Sequence, residues 1–209
     1  MVKLCFDDDC DKIDDCIHCQ KNALIICFLI NFAMFALELF YGVRENSASL
    51  LGDAAHNSGD AIILGSSLFV MASTMLVKAK LALIKSIMML GFGLLTFFHV
   101  IMTVWSGTVP HAEVLTTVGT IALVGNIVSA MLLMYYKNKD INLKSAYICC
   151  RNDVVASAGI IVAGFLIMLT GSYWPDVIIG SLIGGIIVWS SIGIAKESLG
   201  VIADENFKQ

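Results

Sequence analysis

The stretch DAAHNSGD, residues 53–60, decides how the rest of this sequence is interpreted. It lies inside an apolar run from about Ala48 to Leu76, where an ionised carboxylate costs at least about 2.5 kcal/mol at the centre of a bilayer. His56 and Asp60 are four residues apart, so a helix places them on one face, one turn above the other. The same offset separates Cys149 from Asp153 in a second apolar run. We interpret these two turns as halves of one metal site inside a membrane.

The composition also indicates a membrane protein. Hydrophobic residues make up 58% of the 209 residues and charged residues only 14%, against about 25% in soluble domains. Each of six apolar runs is long enough to cross a bilayer, which takes about 20 helical residues. They lie at about 22–43, 48–76, 81–105, 114–136, 145–170 and 176–194. The predicted fold class is therefore an all-α membrane protein with six transmembrane helices.

Charge and cysteine distribution predict the domain organisation and orientation. Residues 1–21 form an acidic tail with four of the seven cysteines, 22–194 the six-helix transmembrane domain, and 195–209 a short polar tail. Lysines concentrate at both ends, between spans two and three, and between spans four and five, whereas the opposite side has only Arg44. The positive-inside rule then predicts that both termini are cytoplasmic. The net charge of −4 says little about nucleic acid, but the sequence has no basic stripe, so no nucleic-acid partner is expected.

The residue types on the two turns point to a divalent transition metal. One imidazole, two carboxylates and a thiolate suit tetrahedral zinc or a similar ion. Because such ligands bind metal when deprotonated, metal loading releases protons and proton binding ejects metal, which couples cation movement to a proton gradient. The predicted ligands are His56, Asp60, Cys149 and Asp153. Accessory candidates are Asp53, near the mouth of the site, the outer-shell or direct ligands Asn57 and Asn152, and the tail pair Cys16 and Cys19.

Several other features leave alternatives open. The Cys16-x2-Cys19 spacing fits a metal-capture tail or a tail of reduced thiols. Glu38 faces a polar cavity or lies at the interface, and Lys85 is expected to snorkel to the interface. Three features are interpreted structurally: His99 by packing, Asn126 by a hydrogen bond to a neighbouring helix, and Gly180-x3-Gly184 as a helix-packing face.

At these residues the sequence resembles the cation diffusion facilitator family. The resemblance rests on SASLLGDAAHNSGD (47–60), NDVVASAG (152–159) and the last span from WPDVIIG (174–180) to KESL (196–199). It implies six helices, a homodimer, and export of zinc or related ions from the cytoplasm in exchange for protons. It also implies that the transport ligands fall on His56 and Asp60 and on Cys149 and Asp153.

Two departures from the family pattern carry expectations of their own. Members commonly have histidine or aspartate where Cys149 stands, so a thiophilic ion such as zinc or cadmium is favoured over manganese; alternatively, Asn152 or water completes the shell. Most members also carry a cytoplasmic metal-binding domain after the sixth helix, and only about fifteen residues follow it here. Dimerisation is then expected to rest on the membrane helices.

The leading functional hypothesis is a zinc efflux transporter of the prokaryotic inner membrane, working as a proton antiporter with a four-ligand site between helices 2 and 5. Cadmium, cobalt, iron and manganese are alternative cargoes, and no cofactor is expected beyond the transported ion. A membrane metal sensor or non-transporting metal-binding subunit is the alternative. A membrane metallohydrolase ranks last, because the sequence has no His-Glu-x-x-His, so no enzyme activity is expected.

Overall fold

The computed structural model describes residues 13–70, 75–136 and 141–207. Within those ranges the chain forms six α-helices: α1 Ile13–Glu45, α2 Ala48–Val70, α3 Met75–Ser106, α4 Ala112–Tyr136, α5 Ile141–Thr170 and α6 Trp174–Phe207. Short turns join α1 to α2, α3 to α4, and α5 to α6. Gly107 and Gly171 end α3 and α5 with positive φ angles of 65° and 60°, a conformation that glycine adopts without steric cost. The predicted all-α fold is confirmed.

Three helix boundaries differ from the sequence prediction. Helix α1 begins at Ile13 and α6 continues to Phe207, so both helices extend into the predicted polar tails. The charged segment 77–80, which separates the predicted second and third spans, instead lies inside α3. Lysine and alanine are both strong helix formers, so this charged segment continues the helix rather than breaking it. The predicted metal-capture tail lies largely outside the described residues.

The exposed surface is apolar and the interior holds the polar side chains, the reverse of a soluble protein. Among the described residues, five helices contain stretches long and apolar enough to cross a membrane: α1, α3, α4, α5 and α6. Helix α2 is not one of them, because its first half carries the polar residues of the 53–60 stretch. It packs against α1, α3, α5 and α6. The helix that carries the polar 53–60 stretch thus lies among four neighbours in the bundle.

An unusual contact fixes the start of α2. Asp176, on the first turn of α6, is buried and accepts hydrogen bonds from the backbone N–H groups of Ala48 (2.7 Å) and Ser49 (3.1 Å). It also accepts from the hydroxyls of Ser47 (2.7 Å) and Ser49 (2.5 Å). The first N–H groups of a helix have no partner within it, so α6 supplies the cap of α2. One turn further along α6, Gly180 lies directly against Ala48. A Cβ added at Gly180 would lie only 2.5 Å from the Ala48 carbonyl carbon.

The predicted small-residue face of α6 divides between two neighbours. Gly180 faces the start of α2, whereas a Cβ at Gly184 would lie 3.2 Å from the Thr96 side chain of α3. The predicted interhelical bond of Asn126 is confirmed, since its Nδ2 donates to the Ser157 Oγ of α5 at 3.1 Å. Of these contacts, the one between Gly180 and Ala48 packs α6 against the start of α2, and the other two join α6 to α3 and α4 to α5.

Candidate metal site

Three of the four predicted ligands converge between α2 and α5. His56 and Asp60 lie one turn apart on α2, and Asp153 faces them from α5. One ligand atom from each of the three lies within 4.8 Å of the others. The His56 Nε2 and the Asp153 Oδ1 are 2.8 Å apart. The i, i+4 spacing therefore produces the predicted shared face, and packing of the two helices brings the third ligand to it.

The side-chain atoms that would bind a metal are buried and have no hydrogen-bond partners. Both oxygens of Asp60 and both of Asp153 have no hydrogen-bond partner, and the same is true of His56 Nε2. The 2.8 Å approach of His56 to Asp153 thus lacks the angles of a hydrogen bond. A buried carboxylate that accepts no hydrogen bonds is unfavourable, and a bound divalent cation would offset that cost. One nitrogen and two carboxylate oxygens match a zinc site that keeps a fourth position for another ligand.

Cys149 lies at the margin of this group. Its thiol is close enough to interact with the Asp60 carboxylate, and it is a free cysteine. It does not belong to the compact group formed by the other three predicted ligands. Its position on α5, one turn before Asp153, makes it the nearest candidate for the fourth position.

A cavity of about 510 Å³ lies between α5 and α6 and reaches the site. His56, Asn152 and Asp153 contribute polar atoms to its wall, and Ile183 and Ile187 of α6 contribute apolar ones. The Asn152 side chain is exposed, so this accessory candidate lies on the cavity wall outside the compact ligand group. The cavity gives the buried ligands a path away from the centre of the bundle.

The accessory candidates Asp53 and Asn57 belong to a polar network that extends from the ligand group into α1. The Asp53 carboxylate accepts a hydrogen bond from the Ser157 hydroxyl at 3.2 Å and interacts with Glu38. The Asn57 amide donates to Glu38 at 2.7 Å. All four side chains are fully buried. Asp53 is therefore enclosed by protein rather than lying at an open mouth, and Glu38 faces a polar interior rather than the membrane interface.

The tail cysteines are placed only in part. Cys19 is buried near the N-terminal end of α1, belongs to the same core cluster as Cys27 and Cys150, and is disulfide-bonded. The side chain of Cys16 lies outside the described residues. His99 is partly buried on α3 and is not a member of the ligand group.

Lys85 is the residue that sequence reasoning misplaced. Instead of snorkelling outward it is 6% exposed, and its Nζ lies 4.0 Å from the Asp60 Oδ1. The position of Lys85 in the sequence could have indicated this burial. Lys80 lies at the charged start of the apolar helix, and Lys85 lies five residues, or about 7.5 Å, further along α3. A lysine so far into an apolar helix needs an anionic partner.

The helices have the length and composition of membrane spans, and comparison with known proteins identifies the family. Residues 24–203 match the cation efflux transmembrane domain. The chain belongs to this family, the cation diffusion facilitators, which are transporters rather than enzymes. The resemblance seen in the sequence is thereby confirmed.

Relatives among known proteins are bacterial. The cation efflux system protein CzcD of Alcaligenes sp. (strain CT14) is 23% identical over 197 residues, covering 88% of this chain and 62% of that protein. The cadmium, cobalt and zinc/H(+)-K(+) antiporter of Bacillus subtilis (strain 168) is 25% identical over 199 residues, covering 88% of this chain and 64% of that protein. The chain thus spans about three-fifths of the length of the relatives it matches. It is a multi-pass membrane protein of the prokaryotic inner membrane.

Proposed function

We propose that this chain exports a divalent transition metal ion, zinc first among them, in exchange for protons. His56, Asp60 and Asp153 bind the ion, and Cys149 supplies the fourth ligand. The observation that carries the proposal is the convergence of three buried ligand atoms within 4.8 Å, with both carboxylates lacking hydrogen-bond partners. Relatives named for efflux or antiport of cadmium, cobalt and zinc support the same class of cargo.

The mechanism follows from competition for the same lone pairs. A metal ion binds only to the deprotonated forms of the ligands, so protons arriving from the far side displace it. Rocking of helix groups about a central site exposes it first to one side and then to the other. The cavity between α5 and α6 is the route that we assign to one of these openings.

The arrangement in the membrane completes the proposal. All six helices cross the inner membrane with both termini in the cytoplasm, and α2 is shielded from lipid by its neighbours in the bundle. Two copies form a homodimer through their membrane helices. The lysines on one side of the chain support this orientation, and the central position of α2 accounts for its low hydropathy.

Purified protein in sealed liposomes tests the function. Zinc, cadmium, cobalt, iron and manganese are supplied on one side under an imposed proton gradient, and metal and pH are followed with entrapped dyes. We expect metal flux with opposite proton flux, and a loss of at least about 100-fold in Asp60→Asn and Asp153→Asn, given the 10- to 100-fold effects of groups that only support ligands. A potassium gradient in a separate arm tests potassium as a counter-ion.

The control is Asp204→Asn, an exposed carboxylate on α6, which is expected to transport like the wild type. Unchanged flux in Asp60→Asn and Asp153→Asn would refute the assigned site. Metal binding without flux under any gradient would instead indicate a membrane metal sensor.

A further inference from the structure

Lys85 approaches a ligand of the proposed metal site from a third helix. Its Nζ is 4.0 Å from the Asp60 Oδ1, and both side chains are buried. It is also close enough to Cys149 to act on the thiol electrostatically. Within the described parts of the chain, no other lysine or arginine forms an ion pair with His56, Asp60 or Asp153.

The path of the Lys85 side chain depends on a glycine next to the ligand. A Cβ at Gly59 would lie 3.0 Å from the Lys85 Cε and 2.6 Å from the Met89 Sδ. The lysine stem therefore crosses α2 where that helix has no side chain, and this crossing brings the ammonium to Asp60. In the sequence, Gly59 immediately precedes the proposed ligand Asp60.

An ammonium in this position opposes metal binding in two ways. Before a metal binds, it occupies the carboxylate that the metal needs, so part of the binding energy is spent on displacing it. After a metal binds, the two cations repel each other across a few ångströms of poorly screened interior. At 4 Å and an effective dielectric constant of 20, interaction between two unit charges corresponds to a roughly thousand-fold effect on an equilibrium, which gives the scale of such an effect.

We propose that Lys85 is an affinity-setting residue, a tethered cation that competes with the transported metal for Asp60. It weakens metal binding so that the ion is released within the transport cycle, and it returns to the carboxylate as the metal leaves. This inference rests on the proposed function, because it assigns Asp60 as a ligand. It differs from a structural role in the sign of its effect: loss of a lysine that only positions Asp60 weakens metal binding, whereas loss of a competitor strengthens it.

Lys85→Met tests the sign directly, because methionine keeps an unbranched side chain and removes the charge. Zinc and cadmium binding to the purified full chain in detergent is measured by titration calorimetry. We expect Lys85→Met to bind zinc at least about tenfold more tightly than the wild type, a small part of that electrostatic scale, and to show a lower KM and a lower maximal flux in liposomes. Lys85→Arg, which keeps the charge, is expected to stay within about threefold of the wild type.

Two further variants control the result. Lys80→Met removes an exposed charge five residues earlier on the same helix and is expected to leave zinc affinity unchanged. Gly59→Ala pushes the Lys85 stem aside without removing its charge, and is expected to tighten binding by a smaller factor than Lys85→Met. It supplies an independent answer if Lys85→Met does not fold, as judged by thermal unfolding.

The outcomes separate this inference from the function beneath it. Zinc affinity that is unchanged or weaker in Lys85→Met, while Asp60→Asn abolishes binding, overturns the role of Lys85 and leaves the site intact. No zinc binding by the wild type overturns the site and, with it, this inference. Tightening in Lys85→Met and Gly59→Ala, without tightening in Lys80→Met, supports it.

Discussion

The cap that α6 provides for α2 gives a stability prediction of calculable size. Asp176→Ala removes a buried carboxylate that accepts four hydrogen bonds from residues 47–49. No other side-chain oxygen among the described residues accepts a hydrogen bond from the Ala48 or Ser49 backbone N–H groups. The substitution therefore leaves the first turn of α2 with unsatisfied donors inside the protein.

Two terms set the magnitude. Loss of a helix N-cap costs about 0.5–2 kcal/mol, and each buried donor left without a partner costs about 1–3 kcal/mol. The serine hydroxyls can rotate to other acceptors, so we count the cap and the two N–H groups only and allow for overlap between them. The expected decrease in the free energy of unfolding is about 3–5 kcal/mol. Asp176→Asn keeps one acceptor oxygen without the charge and is expected to lose about half as much.

The assay is unfolding of the purified protein in mixed micelles, followed by circular dichroism as the denaturing detergent is increased. Asp204→Ala is the matched control, because it removes an exposed carboxylate from the same helix. A difference of less than about 1 kcal/mol between Asp176→Ala and Asp204→Ala would refute the reasoning, since it falls within the range of ordinary surface substitutions.

Three further predictions concern packing and the metal site. Gly180→Ala is expected to destabilise the protein by roughly 1–3 kcal/mol, since its Cβ would lie 2.5 Å from the Ala48 backbone. Gly200→Ala, whose Cβ meets open space, is expected to be neutral or slightly stabilising. Unfolding in micelles compares the two variants, and equal stabilities would contradict the close contact. Zinc at about 100 times its Kd is expected to stabilise the wild type by about 2.7 kcal/mol and to leave Asp153→Asn unchanged, so an equal shift of the unfolding temperature in both would place the metal elsewhere. Cys149→Ser is expected to weaken cadmium binding more than zinc binding, because the thiolate is the softer ligand; calorimetry with both ions checks this, and equal losses would argue against a bound thiolate.

Much of the fold and the compact ligand group could be predicted from local sequence features. Apolar runs long enough to cross a bilayer gave the helices, and the four-residue spacing of His56 and Asp60 gave their shared face. Asp153 could be paired with them because a charged residue in an apolar helix needs a polar partner. These inferences need only the helical period and the cost of burying charge.

The remaining features depend on contacts between residues far apart in the sequence. Asp176 caps a helix that begins 128 residues earlier, and no pattern within α6 indicates its partner. The direction of Lys85 depends on the gap at Gly59, in another helix. Helix packing brings Glu38 and Asp53 together. Neither the spacing of these residues nor the composition of the chain predicts that contact. The helical segment 77–80 was missed for a different reason, because charge was taken as a boundary although the residues favour a helix.

The ligand group also restricts how the bundle can move. Coordination distances tolerate deviations of only about 0.2 Å, whereas sliding one helix past another by a single residue displaces it by 1.5 Å. Because two of the proposed ligands lie on α2 and the third on α5, the proposed function requires those two helices to move as one body while an ion is bound. The relative displacement that opens a path must then occur along their seams with the other helices, where probes of motion should report the largest changes in distance.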